Sequence, residues 1–235
     1  MSIAENISRI RAEMNKAAIA AGRDPAQILL CAATKMNDAD AVRTAIAAGV
    51  DLCGENRVQE LVEKSAQNAY TGAPVHFIGH LQTNKVKQVV GKVDLIQSVD
   101  RMNLLEAIEK EAARQNLTQD ILLEVNIGRE ESKSGFFAEQ IHSVLENFDK
   151  FPHLRVRGLM TIPPNSQEPG GNREFFQEIF NLSVDITGKK YDNVTMECLS
   201  MGMSDDFADA IACGSTMIRI GTAIFGARQY TKSHL

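Results

Sequence analysis

The chain has 235 residues, 44% of them hydrophobic, with 25 Lys and Arg against 30 Asp and Glu for a net charge of -5. That length and apolar content suit one sizeable core, read as a single domain over residues 1–235, and the interspersed charges exclude the basic stripe of a nucleic-acid-binding face. No apolar run approaches the roughly 18 residues of a spanning helix, and the N-terminus has neither part of a secretion signal, so the expectation is a soluble, cytoplasmic protein with no membrane partner.

Residues 2–21 place Ile3, Ile7, Ile10, Met14, Ala17 and Ala21 on one helical face, with Ser2 and Glu5 at capping-box spacing and Gly22 as the stop. From residue 28 onward strand-like and helix-like pieces alternate. A strand over 28–35 leads to a helix over 38–48, and one over 51–56 to a helix from 58 to about 68. Next come a strand over 75–80 with a short helix over 84–90, and a strand over 95–99 with a helix over 103–115, where Asn103 and Glu106 are spaced as a cap. A strand over 121–127 precedes a helix over 138–148. Another over 154–161 precedes a Pro/Gly-rich loop over 163–171 and a helix over 173–186. The last units are a strand over 195–201 with a helix over 205–212, and a strand over 217–220.

Strand starts lie mostly about 20 to 26 residues apart, the usual length of one βα unit, and eight strands with helices between them argue closure into a parallel (β/α)8 barrel of the TIM type. Only nine residues follow Gly226, so the N-terminal helix is expected to cover the outside of the eighth strand. The runner-up, an open doubly wound sheet, would carry a glycine-rich turn after the first strand. This chain has Thr34-Lys35-Met36-Asn37-Asp38 there. The four cysteines, Cys31, Cys53, Cys198 and Cys213, form no CxxC pair and read as buried free thiols.

Chemistry in such a barrel sits at the C-terminal ends of the strands, which here present Lys35, Asn56, His80, Met160, Ser200 with Ser204, and Arg219 with Gly221 and Thr222. Alternation sets Met217, Arg219 and Gly221 on one face of the last strand and Ile218 and Ile220 on the other. If the isoleucines meet the helices, Arg219 points into the mouth beside Lys35. Two cations in one cavity call for a shared anion or for a lysine that gives up its charge and becomes a nucleophilic amine. The alternative is a salt bridge from Lys35 to Glu55 or another carboxylate. Ser204 reads as an N-cap and, with Gly221 and Thr222, as part of an anion site, against which stand an ordinary capped helix and the two acids Asp205 and Asp206. His76 and His80 lack a third metal-ligating partner at suitable spacing, so no metal site is expected.

Residues 33–35 (Ala-Thr-Lys), 54–60 (Gly-Glu-Asn-Arg-Val-Gln-Glu), 76–85, 199–206 (Leu-Ser-Met-Gly-Met-Ser-Asp-Asp) and 214–226, in that order, resemble the YggS/PROSC-like pyridoxal phosphate homeostasis proteins. The resemblance implies the alanine-racemase-like barrel and pyridoxal 5'-phosphate as cofactor, with Lys35 as the lysine that forms its aldimine. It also implies Arg219 facing the pyridine nitrogen, Asn56 near the ring, and Ser204, Gly221, Thr222 and Ser200 around the phosphate. The turn Met36-Asn37-Asp38 departs from the family pattern, and no role is assigned to residues 130–135.

An arginine at the ring nitrogen disfavours the electron-sink form of the cofactor. Alanine racemase adds a second base through an additional domain; here Tyr70, Tyr191 and Tyr230 all lie away from expected strand mouths. The expectation is a monomeric carrier of pyridoxal phosphate, with no established catalytic residue and with cofactor-free enzymes as acceptors. The loop over 163–171 is a candidate lid. The alternatives are a weak amino-acid racemase or other Schiff-base enzyme, and a regulatory partner that reports cofactor occupancy.

Overall fold

The computed structural model describes residues 1–166, 168 and 170–226. Eight parallel strands close into a barrel in sequence order: β1 (Leu29–Ala33), β2 (Leu52–Glu55), β3 (Val75–Phe77), β4 (Leu95–Val99), β5 (Gln119–Val125), β6 (Leu154–Thr161), β7 (Val194–Ser200) and β8 (Met217–Ile220). Closure is made by β1 and β8, where Cys31 pairs with Arg219 and Ala32 with Ile220.

The helices outside are α1 (Ile3–Ala20), α2 (Ala39–Ala47), α3 (Val58–Ala66), α4 (Met102–Gln115), α5 (Ala138–Glu146), α6 (Arg173–Lys189), α7 (Phe207–Ala212) and the short α8 (Thr222–Phe225). Between β3 and β4 a 3-10 turn at Thr83–Gln88 replaces an α-helix. The large core cluster lies between the strands' outer faces and this helical layer, as the alternation of each strand requires.

The N-terminal helix takes the place expected of it. Ser2 Oγ accepts from the Glu5 N–H at 3.3 Å while Glu5 accepts from the Ser2 N–H at 2.7 Å, closing the capping box. Ile7, Ile10 and Met14 bury against Ile218 and Ile220, the outward residues of β8, and α1 packs on α7 and α8. Asn6 Nδ2 fastens it to the Ile224 carbonyl at 2.9 Å.

Several boundaries differ from the expected ones for identifiable reasons. The first strand ends at Ala33, and Lys35 lies in the turn beyond it, because Met36 takes a left-handed φ of 61°. The helix expected from residue 205 starts at Phe207. Its cap position is Asp206, whose carboxylate is drawn back to the Met203 N–H at 2.7 Å and to Asn172 Nδ2 at 2.8 Å, so Ser204 does not cap it. The helix α4 begins one residue before Asn103 with no side-chain cap; Arg101 at its cap position pairs with Asp100 and donates to the Leu81 carbonyl at 2.9 Å. Of the cysteines, Cys31 and Cys53 are buried, Cys198 and Cys213 are half-buried, and all four are free thiols.

Candidate functional site

The barrel interior is polar along one line. Arg219, 5% exposed, points inward from β8, as alternation demands once Ile218 and Ile220 face the helices. Its Nη1 donates to Ser200 Oγ at 2.6 Å and its Nη2 to the Thr161 carbonyl at 2.8 Å. The Ser200 hydroxyl donates in turn to Gln97 Oε1 at 2.6 Å, and Gln97 Nε2 donates to His76 Nδ1 at 2.9 Å. The ladder crosses from β8 through β7 and β4 to β3. Burial holds the His76 pKa down at about 4, so the ring is neutral and Nδ1 is free to accept. Burial also lowers the Arg219 pKa, yet a guanidinium starts so high that the charge stays.

Ser200 was expected around a phosphate. It is fully buried and its hydroxyl is engaged on both sides, which makes it the support of Arg219. Gln97 and His76 escaped the sequence reading, although both sit at inward positions of strands and so carried a signal.

At the mouth, Lys35 is half-buried in the turn after β1. Ala33 pairs with Gly54 on β2, and Lys35 and Asn56 each follow two residues beyond that pair, at the ends of neighbouring strands. On the opposite flank the Cβ that Gly221 lacks would lie only 3.4 Å from the Ala33 carbonyl. Ala33 and Gly221 thus floor the mouth with small residues, with Thr222 exposed at the rim. The Arg219 N–H donates to the Gly202 carbonyl at 3.0 Å, which brings the strand-seven turn, with half-buried Ser204, to the same edge. Lys35, Asn56, Ser204, Arg219, Gly221 and Thr222 therefore come from elements adjoining one another around the mouth.

The Glu55 carboxylate faces outward from β2, fully buried, and accepts from the Thr34 hydroxyl and the Lys64 ammonium, each at 2.5 Å. On the inner wall Glu124 is 9% exposed; burial, reinforced by Asp100 and opposed by Arg219 and Arg101, pushes its pKa up to about 7. Glu124 and Asp100 were also missed. A groove of about 520 Å³ runs outward from Asn56 and His80 between α3 and the turn at Thr83–Gln88, with Arg57 and Lys85 on its walls.

The closed eight-stranded barrel is that of the alanine racemase N-terminal domain, whose family model matches residues 2–229. A protein from Aquifex aeolicus named pyridoxal phosphate homeostasis protein is 42% identical over 230 residues, covering 98% of this chain and 100% of that one. One of the same name from Pseudomonas aeruginosa is 40% identical, covering 97% of each. The chain belongs to the pyridoxal phosphate homeostasis protein family. Among solved structures, PipY of Synechococcus elongatus with PLP bound superposes with a TM-score of 0.82 at 29% identity, over 96% of this chain and 100% of that one. An alanine racemase from Clostridium difficile shares the fold, with a TM-score of 0.68 at 16% identity.

Proposed function

We propose that this protein holds pyridoxal 5'-phosphate at the barrel mouth, in the cytoplasm, and yields it to cofactor-free enzymes without efficient turnover of its own. The observation that carries the reading is the closure of the barrel by the strand that leads into Lys35 and the strand that bears Arg219. The PLP-bound relative supports it.

The residues present fit the group. Among the described residues Asn56 Oδ1 is a buried acceptor with no partner, and Ala33 and Gly221 set no bulky side chain beside it. The cofactor supplies an aldehyde that accepts amines and a ring that withdraws electrons. Lys35 would hold the group through its amine, which an aldehyde takes up reversibly. Arg219, held by Ser200 and the Thr161 carbonyl, has only donors to offer and would keep a ring nitrogen facing it unprotonated, which would weaken the electron withdrawal that fast chemistry needs. Asn56 orients the ring, and Ser204, Thr222 and the Gly221 backbone hold the phosphate. Lys35 and Arg219 come from one chain, so the site needs no second copy, in keeping with a monomer.

Borohydride treatment after incubation with pyridoxal phosphate, followed by peptide mass mapping, should place the label on Lys35. Label on another lysine overturns the assignment. The visible absorption of the loaded protein should vanish in Lys35→Ala.

A second reading, turnover of an amino acid, has Glu124 in its favour, a buried carboxyl beside the mouth that titrates near neutrality. It requires solvent deuterium at an amino-acid α-carbon faster than with free cofactor. A panel of amino acids without exchange removes it.

A further inference from the structure

Lys35 sits between two peptide groups, and side chains of α3 hold both. Lys64 Nζ donates to the Thr34 carbonyl, on the near side of Lys35, at 2.8 Å. Glu60 Oε2 accepts the Met36 N–H, on the far side, at 2.7 Å. The two holders are themselves joined, Lys64 Nζ to Glu60 Oε2 at 3.1 Å, and Lys64 is anchored from behind by Glu55. Lys64 is 6% exposed, Glu60 16% and Glu55 fully buried.

Burying such a cluster is not the cheapest way to dock a helix on a barrel. Two carboxylates and one ammonium must be stripped of water, and apolar residues of similar size give equal or better stability. What the cluster adds is direction. It fixes the peptide planes before and after one residue, at the point where the backbone leaves the ladder and Met36 enters the left-handed region. A lysine side chain has four rotatable carbons, so its amine goes to a defined place only if its Cα and the first bond are fixed.

We propose that Lys64 and Glu60 are positioning residues for Lys35, setting the direction in which its amine enters the barrel mouth. This rests on the reading that Lys35 carries the cofactor, and it adds how a turn outside the ladder is kept rigid enough to do so. Neither residue touches the cofactor; both act through the backbone of Lys35.

The test uses the intact protein with Glu60→Ala, Glu60→Gln and Lys64→Met. Three quantities are measured: exchange of the Met36 amide in cofactor-free protein, the rate of borohydride-trapped labelling of Lys35 by pyridoxal phosphate, and the affinity for pyridoxine 5'-phosphate, which has no aldehyde. Glu60→Ala should speed Met36 exchange at least tenfold and slow Lys35 labelling about tenfold, with pyridoxine 5'-phosphate bound as in the parent. Glu60→Gln, which keeps an acceptor for the Met36 N–H, should restore most of the labelling rate. Lys64→Met should slow labelling further; if it does not fold, the two Glu60 variants decide alone.

Labelling at the parent rate in folded Glu60→Ala overturns the proposal. So does an equal loss of labelling and of pyridoxine 5'-phosphate binding, which would mark the cluster as support for the whole pocket. Absence of Lys35 label in the parent protein instead overturns the underlying function.

Discussion

Ser200 Oγ stands between two strands' polar groups, accepting from Arg219 Nη1 and donating to Gln97 Oε1, each at 2.6 Å. Replacing it leaves a charged donor and an amide oxygen facing an empty position in the barrel interior. Ser200→Ala should therefore cost about 1–3 kcal/mol. In urea denaturation the midpoint should drop while the slope stays the same. A midpoint like the parent's would mean that the Thr161 carbonyl alone holds Arg219.

Two buried titratable groups should give opposite pH slopes in the cofactor-free protein. Glu124, raised to about 7 from 4.5, keeps a proton in the fold that the unfolded chain has released, so its contribution is full below 4.5 and is lost as pH rises through 7. His76, lowered to about 4 from 6.5, refuses a proton that the unfolded chain takes, so its contribution is full above 6.5 and is lost as pH falls to 4. Between these limits the two nearly cancel. Stability of Glu124→Gln should rise with pH over that window by on the order of 3 kcal/mol, and that of His76→Gln should fall by a similar amount. Denaturation at pH 5, 6 and 7 checks both; parallel profiles for the two variants would contradict the assignment.

Two glycines at the C-terminal ends of β2 and β3 should differ sharply as alanines. A Cβ at Gly79 would lie 2.0 Å from the Asn56 carbonyl oxygen, so the backbone of β2's end must move. At Gly54 the same atom meets Cys31 Sγ and Ile78 Cδ1, both at 2.7 Å, which are side-chain ends able to rotate. Gly54→Ala should cost about 1–3 kcal/mol, and Gly79→Ala more than about 4 kcal/mol. Equal thermal shifts would refute the distinction.

Along α1 three substitutions should separate by role. Ile10→Ala, under β8, should cost about 2–5 kcal/mol, and Asn6→Ala, which strands the Ile224 carbonyl, about 1–2 kcal/mol. Arg9→Ala breaks only a half-exposed pair with Glu13 and should change stability by less than about 0.5 kcal/mol. Calorimetry of the three variants measures the order.

What the sequence made legible was whatever depends on a repeat. The period of two in Met217–Ile220 separated Arg219 from its isoleucine neighbours, and the capping box with its apolar stripe identified the helix that covers β8. Hidden were features made by distant segments meeting. Glu60 and Lys64 stand four apart, a spacing common on exposed helix faces, and only the turn after β1 folding over them shows that they are buried and what they hold. Ser204 had the residue type of a cap, but Asn172, from the far end of another loop, draws Asp206 into that position. Glu124 could have been found, since an acid at an inward position of Ile-Leu-Leu-Glu-Val is out of place unless it faces a mouth. Tyr230 and part of the loop over 163–171 lie outside the described residues.

The pairing of β1 with β8 sets a timetable as well as a shape. Lys35 leaves the ribosome long before Arg219, and α1 has no face to cover until β8 exists. Every half-made chain therefore has an open edge on β1 and an uncovered α1, exposed for as long as synthesis takes. The proposed cofactor site is completed by the same contact that seals the barrel, so occupancy by pyridoxal phosphate would report, molecule by molecule, that folding has finished.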